Sequence, residues 1–106
     1  MIINFEDLKK FLNKVNKENI HFIPYFYMKK QERPYISENL VKEKIKDINN
    51  ILGFQRHVVK GEYRYRVGIK LSGRYTLVVV CEIKDKDLNI ITAWKTNRKW
   101  QKSIQK

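Results

Sequence analysis

Six cations, Arg56, Lys60, Arg64, Arg66, Lys70 and Arg74, interleave with Tyr63, Tyr65 and Tyr75 in the second half of this chain, and Glu62 is the one acid between Arg56 and Tyr75. The last twelve residues, KTNRKWQKSIQK, add Lys95, Arg98, Lys99, Lys102 and Lys106 around Trp100 with no acid at all. Guanidinium groups meet phosphate through two parallel hydrogen bonds, and aromatic rings stack on bases. A formal net charge of +12 on 106 residues repels itself, which a polyanionic partner would relieve. The pattern points to nucleic acid, and two chemistries fit it. One is binding alone, through counterion release and stacking. The other is metal-free cleavage of RNA, in which the 2′-hydroxyl attacks its own phosphate and the protein positions it, moves protons and stabilises the charged transition state. A protein–protein adaptor with incidental charge is the third reading.

Other chemistries find little footing. His21, His57 and Cys81 do not form a zinc set, no acidic cluster has calcium or magnesium spacing, and four scattered glycines make neither a P-loop nor a dinucleotide fingerprint. No cofactor is expected. Cys81 lies in LVVVCEI, where a buried, inert thiol is expected, and a single cysteine allows no internal disulfide. The longest apolar run, Leu77 to Cys81, is far short of a membrane span, and MIINFEDLKK lacks the form of a signal peptide. The expectation is a cytoplasmic protein.

These groups need elements to position them. Asn4 caps a helix predicted over 4–17, with Glu6 and Asp7 in its first turn and Phe5, Leu8, Leu12 and Val15 at helical spacing. Pro24 opens a short helix over about 24–31, with an extended stretch as the alternative, and Pro34 stops it. Ser37 caps a third helix whose stripe runs from Leu40 or Val41 through Ile45, Ile48 and Leu52 to a C-terminal Gly53. Beyond Gly53 the period becomes two. Strands are predicted over 54–60, 63–71, 75–83 and 88–94, with turns at Gly61–Glu62, Ser72–Gly73 and Asp85–Asp87. Tyr63, Tyr65, Val67, Ile69 and Leu71 then share one face, and Arg64 and Arg66 the other. The strand over 75–83 is apolar on both faces and belongs in the sheet centre. Arg56 or its neighbour His57 joins the arginine face, depending on register. Trp94 reads as core. Trp100 is either an anchor for the basic tail or a stacking platform. The fold class is α+β: N-terminal helices (1–52), then a roughly four-stranded antiparallel sheet (53–95) and a basic tail (96–106), in one domain.

The element order resembles the small ribonucleases of the barnase–EndoU–colicin–RelE superfamily, many of them toxins of toxin–antitoxin pairs. His21, Arg33, Ser37 and Val41 are similar to members in which a histidine and an arginine precede a Ser-capped helix. IITAW, residues 90–94, resembles their last strand. The resemblance covers about residues 20–100. It implies a RelE-like fold and a metal-independent endoribonuclease acting on RNA more than DNA, neutralised by an antitoxin-like protein that is acidic or carries a helix across the basic face. It assigns Arg64, Arg66 and Arg98 to phosphate, His57 or His21 to proton transfer, and Thr92 to substrate orientation, with Arg66 also stabilising the transition state. Arg56, Arg74, Tyr75, Lys95 and Trp100 complete the expected nucleic-acid surface.

Overall fold

The computed structural model describes Ile2 and residues 4–97. Three helices, α1 (Phe5–Lys14), α2 (Pro24–Lys30) and α3 (Glu38–Ile45), pack on a five-stranded sheet of β1 (Ile20–Phe22), β2 (Ile51–Val59), β3 (Glu62–Lys70), β4 (Thr76–Lys84) and β5 (Asp87–Thr96). The spatial order is β1-β5-β4-β3-β2. The apolar strand β4 lies at the centre, as its two-faced hydrophobicity requires.

Local chemistry starts the helices. The Asn4 side chain accepts from the Asp7 amide at 2.8 Å, and the Ser37 hydroxyl from the Leu40 amide at 3.0 Å. Pro24 occupies the first turn of α2, where its missing N–H costs nothing. All five buried helix residues, Leu8, Leu12, Phe26, Val41 and Ile45, belong to one apolar cluster with Phe54, Tyr65, Val67, Ile69, Leu77, Val79, Cys81, Leu88 and Ile90. This is the helix-covered face. Full burial of a leucine such as Leu8 or Leu12 contributes about 2 kcal/mol. The opposite side is called the second face below.

Four expectations are corrected. The sheet has a fifth strand, β1, which pairs parallel to β5 and makes the sheet mixed. Three residues, Ile20–Phe22, are too few to show a period; β1 exists because Ile20, His21 and Phe22 find Leu88, Asn89 and Ile90, and because the Ile23 amide donates to the Ile90 carbonyl at 3.0 Å. The first helix ends at Lys14, before a single 3₁₀ turn at Lys17–Asn19. The third helix ends at Ile45, and a second 3₁₀ turn at Ile48–Asn50 leads into β2. Gly53 therefore caps no helix; it lies within β2 opposite Gly68, just after an irregularity between Ile51 and Gly53.

The β2–β3 turn is Lys60–Gly61, both at positive φ (51° and 79°), one residue earlier than expected. Two central residues at positive φ match the right-handed strand twist. A two-residue turn pairs even positions with odd ones. Arg56 thus sits opposite Tyr65, on the helix-covered face, while His57 sits opposite Arg64. A second irregularity, between Val80 and Cys81 on the β4–β5 pair, leaves Ile91 as an extra residue. Before it, Ile90 pairs with Cys81 on the helix-covered face. After it, Thr92 pairs with Val80 and Trp94 with Val78, on the second face.

Candidate nucleic-acid interface

The second face is organised in cross-strand rows. One row joins His21, Asn89 and Glu82 on β1, β5 and β4 to Arg64 and His57 on β3 and β2, the two parts meeting at the 3.8 Å approach of Arg64 to Glu82; the next runs Thr92, Val80, Arg66, Gln55; a third runs Trp94, Val78, Gly68, Gly53. Arg64 and Arg66 therefore share this face, as the alternation of β3 predicts.

The middle of the face is a cation–aromatic cluster. Arg33, from the loop after α2, reaches over β5: its Nη1 donates to Thr92 Oγ1 at 2.9 Å and to the Ala93 carbonyl at 3.3 Å. Its guanidinium lies 5.8 Å from the Trp94 ring centroid, and that of Arg66 lies 5.7 Å from the same centroid. Arg66 makes one long hydrogen bond, 3.5 Å to Gln55 Oε1, and its buried Nε has no partner. A buried guanidinium N–H without an acceptor carries a desolvation penalty that an incoming anion would remove.

One row away the charge balance changes. Arg64 Nε lies 3.8 Å from Glu82 Oε2, too far for a hydrogen bond, and is likewise buried without an acceptor. Lys84 bonds Glu62 at 3.0 Å. Burial, then hydrogen bonding and repulsion from Glu62, push the Glu82 carboxyl above the ordinary range. Glu62 is held low, first by Lys84 and then by its hydrogen bond to Glu82. This end of the face is thus mixed in sign, and the cationic character is concentrated at Arg33 and Arg66.

The remaining predicted residues are dispersed. Arg56 faces the other way, donating to the Ile2 carbonyl at 3.1 Å with its guanidinium 5.3 Å from the Tyr63 ring centroid, and does not join Arg64. Lys95 is opposite Leu77, hence also on the helix-covered side, its ammonium 4.7 Å from the Tyr35 centroid and 4.6 Å from that of Tyr75. Arg74 sits in the exposed β3–β4 turn, where its amide and that of Tyr75 donate to Ser72 Oγ. His57 is exposed on edge strand β2, but it sits opposite Arg64 and is the residue of the Arg56–His57 pair that joins the arginine face. His21, on the opposite edge, lies 3.3 Å from Asp87 Oδ1, which also accepts from Asn19 at 2.8 Å. Four strand spacings of about 4.8 Å separate the two histidines by about 19 Å. They cannot serve one scissile bond together. Arg98 and Trp100 lie outside the described residues.

Sequence reasoning missed Trp94, Arg33 and Glu82 as members of this face. Trp94 read as core because unbroken alternation from Ile90 would turn it inward; the extra residue Ile91 reverses that parity. Arg33 sits in a loop with no periodicity, and its one signal was its place before the Ser-capped helix. Glu82 was hidden in an apolar strand, although its even spacing from Val78 and Val80 marks its face.

Burial pushes the Cys81 thiol up to about 12, consistent with the inert residue expected. Among the described residues no three His, Cys, Asp or Glu side chains gather as metal ligands, and no helix is long and apolar enough to cross a membrane. Comparison with protein-family models, curated proteins and solved structures yields no match for this chain.

Proposed function

We propose that the second face binds RNA and cleaves it with the protein's own groups, by attack of a 2′-hydroxyl on the adjacent phosphate. The observation that carries this reading is the meeting of Arg33 and Arg66 at Thr92 and Trp94, with Arg64 two residues from Arg66 on the same strand face. Paired guanidinium groups bind a phosphodiester and stabilise the extra charge of its transition state. Trp94 offers a ring for a base, and Thr92 a hydroxyl that orients the sugar or phosphate. Stacking on a side chain requires an unpaired base, which favours single-stranded RNA. The order of elements supports a RelE-like fold, and the excess charge supports an acidic protein partner in the cell.

One observation favours a second reading, binding without cleavage: His21 stands at the far edge of the sheet beside Asp87, which leaves His57 as the one histidine next to Arg64. Incubating the protein with end-labelled RNA in EDTA separates the readings. Fragments ending in 2′,3′-cyclic phosphate are expected, and Arg64→Ala with Arg66→Ala should abolish them while the fold survives. Bound but intact RNA would overturn cleavage and leave binding. No association at moderate salt would overturn both.

A further inference from the structure

The cleavage reading has one histidine beside the arginines, His57, exposed on the edge strand opposite Arg64. The second face carries another candidate in its central strand. Glu82 is on β4, next to Cys81, the partner of Tyr65, and two residues from Val80, the partner of Arg66, with its Oε2 3.8 Å from Arg64 Nε. Its side chain is 13% exposed, yet Arg64 Nε at 3.8 Å does not hydrogen-bond it. Glu82, Glu62 and Lys84 are among the residues at a cavity of about 440 Å³ at the end of the sheet, whose apolar wall, Phe11, Tyr63 and Tyr65, belongs to the helix-covered side. A largely buried carboxyl thus lies beside Arg64, one of the arginines assigned to phosphate.

We propose that Glu82 is the proton-transfer group of this face and that Glu62, bonded to Lys84 and lining the same cavity, is its positioning residue. The inference rests on the cleavage reading. With the phosphate on Arg64 and Arg66, the Glu82 carboxylate takes the proton of the 2′-hydroxyl. The 2′-oxygen bonds to phosphorus, the bond from phosphorus to the 5′-oxygen breaks, and the departing 5′-oxygen takes a proton from water. The products are a 2′,3′-cyclic phosphate and a 5′-hydroxyl.

The surroundings of Glu82 suit this task. Glu62 and Arg64 face it from β3, Lys84 follows on β4, the neutral Asn89 is its partner on β5, His57 lies beyond Arg64 on β2, and Asp85 lines the cavity. Burial and Glu62 raise its proton affinity, while Arg64 and Lys84 act in the opposite sense without reversing the shift. A base is most effective when its proton affinity approaches the working pH. As a base it must be ionised, so the rate should climb with pH through a midpoint above the ordinary glutamate range. Replacing Glu62 with glutamine removes the repulsion between carboxyls and frees Lys84, so that midpoint should move to lower pH.

The test measures single-turnover cleavage of a single-stranded RNA in EDTA, across pH, together with binding of the same RNA carrying 2′-deoxy sugars. Glu82→Gln is expected to lower the cleavage rate by about 10²- to 10⁴-fold with binding retained or tightened, the size usual for loss of a proton-transfer group. Glu62→Gln is expected to displace the acid limb of the profile to lower pH with a smaller loss of rate. Cleavage by Glu82→Gln within about tenfold of the native rate would overturn this inference and leave the proposed function standing. A native protein that binds RNA and never cuts it would overturn both. Should Glu82→Gln not fold, the Glu62→Gln profile decides: an unmoved acid limb rejects the role of Glu82.

Discussion

Replacing Arg66 with alanine tests whether the second face, rather than bulk charge, carries the proposed binding of nucleic acid. The side chain holds little of the fold together. It has one 3.5 Å hydrogen bond, a buried Nε with no acceptor, and a guanidinium 5.7 Å from the Trp94 centroid. The ring contact is worth about 0.5–1 kcal/mol. Relief of the unpartnered Nε offsets part of that, so the melting temperature should fall by no more than about 5 °C. Binding should respond much more. One charge-assisted contact contributes about 1.5–3 kcal/mol, or about 10- to 150-fold in affinity. Losing one phosphate contact should also flatten the slope of log K against log salt by about 0.7 on a single strand. Arg56→Ala is the matched control, with the same change of charge two strands from β4 but on the helix-covered face. It should weaken binding by less than about threefold. Fluorescence anisotropy of a labelled single-stranded RNA, titrated at several salt concentrations, measures both quantities. Equal losses for Arg66→Ala and Arg56→Ala would refute the reasoning, because attraction would then follow net charge alone.

Other consequences concern the scaffold. Lys46 Nζ donates to the carbonyls of Leu12 and Asn13, each at 3.2 Å, and to that of Val15, groups that the end of α1 leaves without helical partners. Lys46→Met should cost about 2–3 kcal/mol in urea unfolding, and a loss below about 0.5 kcal/mol would show that water replaces the ammonium freely. Asp87 is held below its ordinary range first by Asn19 and then by His21. A lowered carboxyl contributes stability above its unfolded value and loses it as pH falls through the folded one. Asn19→Ala should therefore destabilise the protein at pH 6 more than at pH 2, in melts at the two pH values; an equal effect would assign Asn19 a role independent of Asp87. Cys81, buried and pushed up to about 12, should resist thiol reagents at pH 8 in the native state and react fully in denaturant.

The sequence by itself determined the order of elements and one face of one strand. Side-chain hydrogen bonds from Asn4 and Ser37, Pro24 at a first turn, and the alternation of Tyr65, Val67 and Ile69 with Arg64 and Arg66 are local facts, acting over a few residues, and they are written locally. The α+β class and the central place of β4 followed from them. Tertiary structure decided what meets across the sheet. Register depends on the parity of turns and on extra residues: the two-residue Lys60–Gly61 turn sends Arg56 to the helix side, and Ile91 sends Thr92 and Trp94 to the arginine side. A single inserted residue reverses every side chain beyond it, and strand composition carries no mark of the insertion. The short β1 and the reach of Arg33 to Thr92, 59 residues away, are likewise contacts between distant segments. They exist only once the chain has folded.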